Sequence, residues 1–246
     1  MKIETVSILG FEVARMTLEQ VTDWIRVTVE RRRPSHIVTA NAEIVYKAYR
    51  EKDFFNLLEK ADLVTADGAG VVLAARLLGR PLPERVTGID LVHEIFRLAD
   101  EKGWGLYFLG ARKEVVEKAV LNIMGSYPGI RIAGCHHGYF SQEETARVVS
   151  NINKAKPDVL LVALGAPRQE TFISENIKEL NVPVSIGVGG AFDILAGVAA
   201  RAPAWMRRCG LEWLYRLYRE PWRYKRMLAL PKFVLAVLKD RTTPYN

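Results

Sequence analysis

Two cysteines in 246 residues, Cys135 and Cys209, stand far apart with no C-x-x-C neighbour, which excludes a disulfide scaffold and a thiolate zinc site. A reducing compartment is expected. Long apolar runs are also missing. The most apolar late stretch, 227–238, is interrupted by Pro231 and Lys232 and falls well short of the roughly 20 residues that span a bilayer. The start, MKIETVSILGFEV, lacks a basic segment followed by an apolar run and a small-residue cleavage site, so a cytoplasmic chain without a secretory signal is predicted. No Asp-x-Asp pair occurs, and with it goes the carboxylate pair that holds a divalent ion in many nucleotide-sugar enzymes. Metal dependence and a resident cofactor are therefore not expected. Neither a G-x-G-x-x-G opening the first βαβ unit nor a G-x-x-x-x-G-K-[ST] is present, which argues against a nucleotide-dependent oxidoreductase and a P-loop. Internal repeats and low-complexity tracts are absent, and 49% hydrophobic against 26% charged residues excludes disorder.

From Ser35 to Gly189, short β-branched runs alternate with stretches of helical period. Strands are predicted at 35–39, 63–66, 106–109, 130–133, 158–164 and 184–188, and helices near 42–59, 69–78, 88–102, 113–126, 142–155 and 168–180. A strand or hairpin (5–14) and a helix (18–32) precede them. This is α/β: a Rossmann-like, mostly parallel sheet with helices on both faces. A boundary is expected near residue 200, with residues 1–200 as the catalytic domain and 201–246 as a small helical appendage broken at Pro221 and Pro231. Removing the appendage is expected to leave a folded α/β domain.

Ligands of open parallel sheets bind beyond the carboxyl ends of the strands, and here those positions are polar or glycine-rich: Thr39-Ala40-Asn41, Asp67-Gly68-Ala69-Gly70, Gly110-Ala111-Arg112, Gly165 to Glu170 and Gly187 to Asp193. Such glycines offer backbone amides to a nucleotide diphosphate, and they equally serve turns that need a permissive backbone. Asp67 stands where a general base would, although Asp is also a preferred cap for the helix predicted from residue 69. Thr39 and Asn41 are placed to line the same pocket, and Asn41 could instead cap the next helix. In Arg-Val-Thr-Gly-Ile-Asp, Thr87 and Asp90 read as a capping pair, leaving Arg85 for a phosphate or for solvent. His136-His137 are adjacent, without an acidic or Cys partner at ligand spacing, and are not read as a metal site.

The net charge is +7, yet residues 201–246 hold 11 basic against 3 acidic side chains, +8, leaving the first 200 residues at −1. Arg216, Arg219, Arg223 and Arg226 are spaced 3, 4 and 3 apart, one helical face if the helix continues through Pro221. Leu211, Leu214, Tyr215, Tyr218 and Trp222 form an apolar-aromatic stripe beside them. Cations beside aromatics suit the interface of an anionic membrane. A helix packed on the core with an exposed basic face is the alternative. Nucleic acid fits the same composition, but no DNA- or RNA-binding module accompanies it.

The motifs resemble the WecG/TagA/CpsF bacterial glycosyltransferases along most of the chain: Thr39-Ala40-Asn41, Ala66-Asp67-Gly68, Arg85 to Asp90, Phe108-Leu109-Gly110, Pro157-Asp158, Pro167 to Glu170, Gly187 to Asp193, Arg201-Ala202-Pro203, Gly210 to Trp213 and Arg219 to Arg223. The resemblance implies a metal-independent, inverting transfer of N-acetylmannosamine from a UDP donor to the GlcNAc of an undecaprenyl-diphosphate lipid, at the cytoplasmic membrane face. That product is the linkage unit of wall teichoic acid in the TagA branch, which the chain resembles most. Other branches transfer the corresponding uronic acid or glucose. Carried over by residue, Asp67 deprotonates the acceptor C4 hydroxyl, Thr39 and Asn41 position the sugar, and Arg85 and Gln169 hold the donor. The nucleotide is expected against Gly110, Ala111, Tyr139, Gln169, Gly189 and Asp193, and Arg216, Arg223 and Arg226 against the leaving diphosphate. Expected partners are the UDP-sugar, the lipid acceptor and the anionic membrane surface, with no nucleic acid and with self-association left open. A non-catalytic, membrane-peripheral nucleotide-binding protein in which Asp67 only caps a helix is the rival reading.

Overall fold

The computed structural model describes residues 3–241, apart from the side chains of Arg223, Lys225, Arg226 and Arg241. A hairpin opens the chain: β1 (Thr5–Ile8) and β2 (Phe11–Ala14) pair antiparallel through Leu9 and Gly10, both at positive φ as a tight hairpin turn demands. Helix α1 (Leu18–Arg31) starts at a capping box in which Thr17 accepts from the Gln20 amide, and Gln20 returns the bond to the Thr17 amide.

The alternating region then runs β3 (Ser35–Ala40), α2 (Ala42–Arg50), α3 (Lys52–Leu58), β4 (Leu63–Ala66), α4 (Ala69–Leu77), α5 (Gly88–Lys102), β5 (Gly105–Gly110), α6 (Lys113–Ser126), β6 (Arg131–His136), α7 (Thr145–Ala155), β7 (Val159–Ala163), α8 (Arg168–Asn176), β8 (Val184–Gly187) and α9 (Ala191–Leu195). Six of these strands form one parallel sheet in the order β4-β3-β8-β7-β5-β6. The expected α/β class and parallel sheet are what the chain forms. One departure is the predicted 42–59 helix, which is split at Glu51 by an extended backbone (φ −122°, ψ 103°).

The period of two along the strands divides the interior between the two faces. Ile37, Leu106, Phe108, Leu161 and Ile186 pack under α1, α5, α6 and α9. On the opposite face Val38, Ala40, Val64 and Ala66 meet the hairpin, α2, α3 and α4, while Leu109, Leu160 and Val162 meet α7 and α8. Capping fixes where α5 begins and ends: Thr87 accepts from the Asp90 amide at 3.2 Å, and Gly103 takes the left-handed cap at φ 69°. The capping pair expected at Thr87 and Asp90 is present.

Beyond residue 200 come α10 (Ala204–Arg208), α11 (Glu212–Arg219), a 3-10 turn (Pro221–Arg223), α12 (Tyr224–Met227) and α13 (Ala229–Arg241). Pro231 does not break a helix; it lies in the first turn of α13, where its missing N–H has no intrahelical acceptor to lose. Packing crosses the expected boundary. Phe233 and Val237 of α13 are completely buried against α2 and α4 within the core of the sheet's second face. Arg201 also pairs with Asp90 of α5 at 2.6 Å. None of the described helices is long and apolar enough to cross a membrane.

Candidate active site

A cavity of about 350 Å³ opens at the carboxyl ends of β4, β3, β8 and β7, and the tail closes its outer side with Glu212, Trp213, Arg216 and Leu230. Asp67 enters it directly from β4. Its amide donates to the Ala40 carbonyl at 2.9 Å, extending the β3–β4 ladder by one residue, and the Val86 amide reaches Ala66 at 2.9 Å. The second bond draws Arg85 and Thr87 alongside the same strand end.

Asp67 is not a helix cap: α4 begins after Gly68, with no side-chain capping bond. Its carboxyl is pushed up to about 6. Burial is the largest cause, opposed by the positive charge of Arg216, a hydrogen bond from the Gly88 backbone and the charge of Arg85, while the negative charge of Glu212 raises it further. A carboxylate so held takes a proton readily and is still ionised near neutrality, the combination a general base requires.

Thr39 and Asn41 line the cavity but are partly committed to the fold. The Thr39 hydroxyl donates to the Gly187 carbonyl at 2.8 Å, tying β3 to β8, and Asn41 Oδ1 accepts from the Ile44 amide at 3.0 Å as the cap of α2. A Cβ at Gly88 would lie 3.4 Å from Thr39 Oγ1 and 3.6 Å from Asp67 Oδ2, so the hydroxyl and the carboxylate face one small gap that glycine leaves open. Gln169 is 2% exposed, and both ends of its amide are used. Oε1 accepts from the Gly189 amide at 3.0 Å, and Nε2 donates to Glu170 at 2.8 Å. It holds the glycine-rich loop from beneath, against Gly187, where a side chain would meet Gln169 Nε2 at 2.6 Å.

Arg85 and Arg216 converge on Glu212, at 3.6 and 3.5 Å. The three form a charged cluster at the wall facing Asp67. The arginine row expected along one face does not continue as a single helix: α11 ends at Arg219, and the chain turns at Glu220 (φ −132°, ψ 72°). Arg216 reaches the cavity, whereas the side chains of Arg223 and Arg226 lie outside the described residues.

Of the residues expected at the nucleotide, Gln169, Gly189 and Asp193 line the cavity, while Gly110 at the end of β5, Ala111 after it and Tyr139 after β6 do not. Gly110 adopts φ 138° with the Ala163 carbonyl where its Cβ would be, and the Ala111 amide donates to that same carbonyl at 3.1 Å. Tyr139 is 69% exposed. Arg168 organises that neighbourhood, donating to the Gly138 and Phe140 carbonyls at 2.8 and 3.0 Å.

Three contributors escaped the reading of the sequence as site residues. Glu212 is one of only three acids in a strongly basic tail, a contrast that could have marked it. Trp213 follows it into the lining. Glu170 is completely buried, its carboxyl pushed up to about 6 by burial, and nothing local signalled that. Among the described residues no group of three or more His, Cys, Asp or Glu is assembled that could hold a metal ion.

The model of the glycosyl transferase WecG/TagA/CpsF family matches residues 6–246. Among curated proteins, the chain is 42% identical over 204 residues to the N-acetylglucosaminyldiphosphoundecaprenol N-acetyl-beta-D-mannosaminyltransferase of Bacillus subtilis (strain 168), covering 83% of this chain and 79% of that protein. The protein of the same name from Staphylococcus aureus (strain MW2) is 35% identical over 238 residues, covering 96% of this chain and 93% of its own.

Proposed function

Because this chain belongs to the WecG/TagA/CpsF glycosyltransferase family, we propose that it transfers N-acetylmannosamine from UDP-ManNAc to the GlcNAc of undecaprenyl-diphosphate-GlcNAc, the linkage-unit step of wall teichoic acid synthesis. The names of its relatives support the acceptor and the sugar. The observation that carries the mechanism is Asp67, a buried carboxyl raised to about 6 in a cavity whose opposite wall holds Arg85 and Arg216.

Asp67 removes the proton of the acceptor C4 hydroxyl as that oxygen attacks the donor's anomeric carbon. The bond from that carbon to the UDP oxygen breaks on the opposite face, which inverts the configuration, and UDP leaves with the electron pair. Charge develops on the diphosphate during this step. Arg85 and Arg216, already fixed by Glu212, meet it without reorganisation, with Arg223 and Arg226 as further cations of the tail. Thr39 orients the acceptor beside Asp67, and Gln169 holds the 187–190 loop against the donor. No metal is required in this scheme, since fixed cations take its place.

The exposed Trp205, Tyr218 and Trp222, in a tail of net charge +8, support peripheral attachment to an anionic membrane, where the lipid acceptor resides. UDP release from UDP-ManNAc, with and without a soluble GlcNAc-diphosphate-lipid analogue, tests the function: release should depend on the acceptor. Equal release with and without it, or preference for UDP-glucose, would overturn the assignment.

A further inference from the structure

A second cavity, of about 690 Å³, lies between α4 and the start of the tail. Arg76 of α4 and Arg207 and Arg208 of α10 line it, together with Arg85, which it shares with the Asp67 cavity along with Ala69 and Gly210. None of Arg76, Arg207 and Arg208 forms an ion pair among the described residues. The single carboxylate in the lining, Glu84, is turned to other use, accepting from the Leu18 amide at 2.8 Å. Arg207 Nε is buried with no hydrogen-bond partner, and the charge of Arg207 also acts on Asp90. Four guanidinium groups against one carboxylate at a concave surface suit a polyanion.

We propose that this cavity binds the diphosphate of the polyprenyl acceptor, and so orients the attached sugar across Arg85 toward Asp67. The inference rests on the glycosyl transfer proposed above and assigns the acceptor's anionic group a place. Two features separate the acceptor's diphosphate from the donor's. The glycine-rich loop and the ends of β3, β7 and β8 line only the first cavity, so the second offers nothing to a nucleotide base. Its apolar lining comes from Val72 and Leu73 of α4, the latter 45% exposed, and from Ala204 at the start of α10. Cations bordered by exposed apolar side chains match a diphosphate esterified to a hydrocarbon chain. A nucleotide would leave Val72 and Leu73 without an apolar partner. The shared Arg85 then touches both substrates.

The test uses the full chain and farnesyl diphosphate, a short polyprenyl diphosphate without a sugar, with binding measured by calorimetry in the absence and presence of saturating UDP. Binding should persist with UDP bound. It should weaken by about tenfold in Arg76→Gln and in Arg208→Gln, the loss expected for one charge-assisted contact. Both residues are exposed, so melting should not change. In transfer assays the same variants should raise KM for the lipid acceptor by a similar factor, with KM for the UDP-sugar unaltered. Displacement of farnesyl diphosphate by UDP, unchanged affinity in both variants, or a rise in donor KM instead would each overturn the assignment. If the wild type bound farnesyl diphosphate in this UDP-independent, arginine-dependent way yet transferred no sugar, the site would stand and the proposed reaction would fall.

Discussion

The Arg85 guanidinium lies 3.6 Å from the Glu212 carboxylate, joining the segment that follows α4 to the first turn of α11. The pair makes the tail part of the site's electrostatics. Glu212 raises the Asp67 carboxyl, and Arg216, its second partner, lowers it. The rate should therefore rise with pH through about 6, as Asp67 ionises, and level above that. Glu212→Gln should move the midpoint down and Arg216→Ala should move it up. Arg216→Ala should also reduce turnover on a short, water-soluble acceptor, where membrane docking plays no part. Profiles of kcat/KM against pH for the three proteins check both signs. Shifts in the same direction would refute the cluster.

Replacing Asp67 by Asn should lower kcat by about 10² to 10⁴-fold with donor affinity nearly unchanged, because the base acts on the acceptor hydroxyl in the transition state. The same change should stabilise the fold above neutrality. Burial pushes the carboxyl up to about 6 in the folded protein, against 3.8 for an Asp in water. Its contribution to stability is complete below 3.8 and is lost as pH rises through about 6, a difference on the order of 3 kcal/mol at most. Thermal melts should place the variant above the wild type at pH 8 and level with it at pH 4.

EDTA should leave turnover intact, since the scheme relies on Arg85 and Arg216 at the leaving diphosphate. Loss of activity restored by Mg²⁺ or Mn²⁺ would require a site outside this account.

Phe233→Ala should destabilise the protein by about 3–5 kcal/mol, the usual result of emptying a fully buried aromatic position. Cutting the chain after residue 200 removes Val237 and Arg216 as well. Such a protein should melt well below the full chain, bind a hydrophobic dye, and lack transfer activity. Full stability in the truncated form would show that α13 adds nothing to the core.

Anionic vesicles should bind the full chain at low salt and release it as salt rises, because each cation at the surface contributes about 1 kcal/mol that mobile ions screen. Cosedimentation across a salt series measures this. Trp222→Ala and Tyr218→Ala, both exposed, should weaken binding without altering kcat on a soluble acceptor.

What was legible followed from local rules. The helices 88–102 and 113–126 stand at their predicted residues, the first between a Thr87 cap and Gly103. The place of Asp67 in the cavity was legible from its position at a strand end, whereas only the structure shows that Gly68 and not Asp67 caps α4. The break at Glu51 was not, since no Gly or Pro marks it; it coincides with the burial of Phe54 and Leu58 beneath the hairpin. The packing of α13 was not legible for a related reason. Leu230, Phe233, Val234 and Val237 have helical spacing, and only α2 and α4, far away in sequence, decide that this face is buried. Glu212 and Glu170 owe their roles to partners across the fold, which spacing along the chain does not reveal.

The strand that completes the sheet, β8, lies at its middle, between β3 and β7, although it is the last strand of the chain. A ribosome releases β3 long before β8, so during synthesis β4-β3 and β7-β5-β6 lack the strand that joins them. Insertion of β8 zips them together. The bond from Thr39 to Gly187 and the 188–191 side of the Asp67 cavity depend on that strand. Nascent chains stalled before residue 184 should therefore carry Asp67 without the β8 side of its cavity.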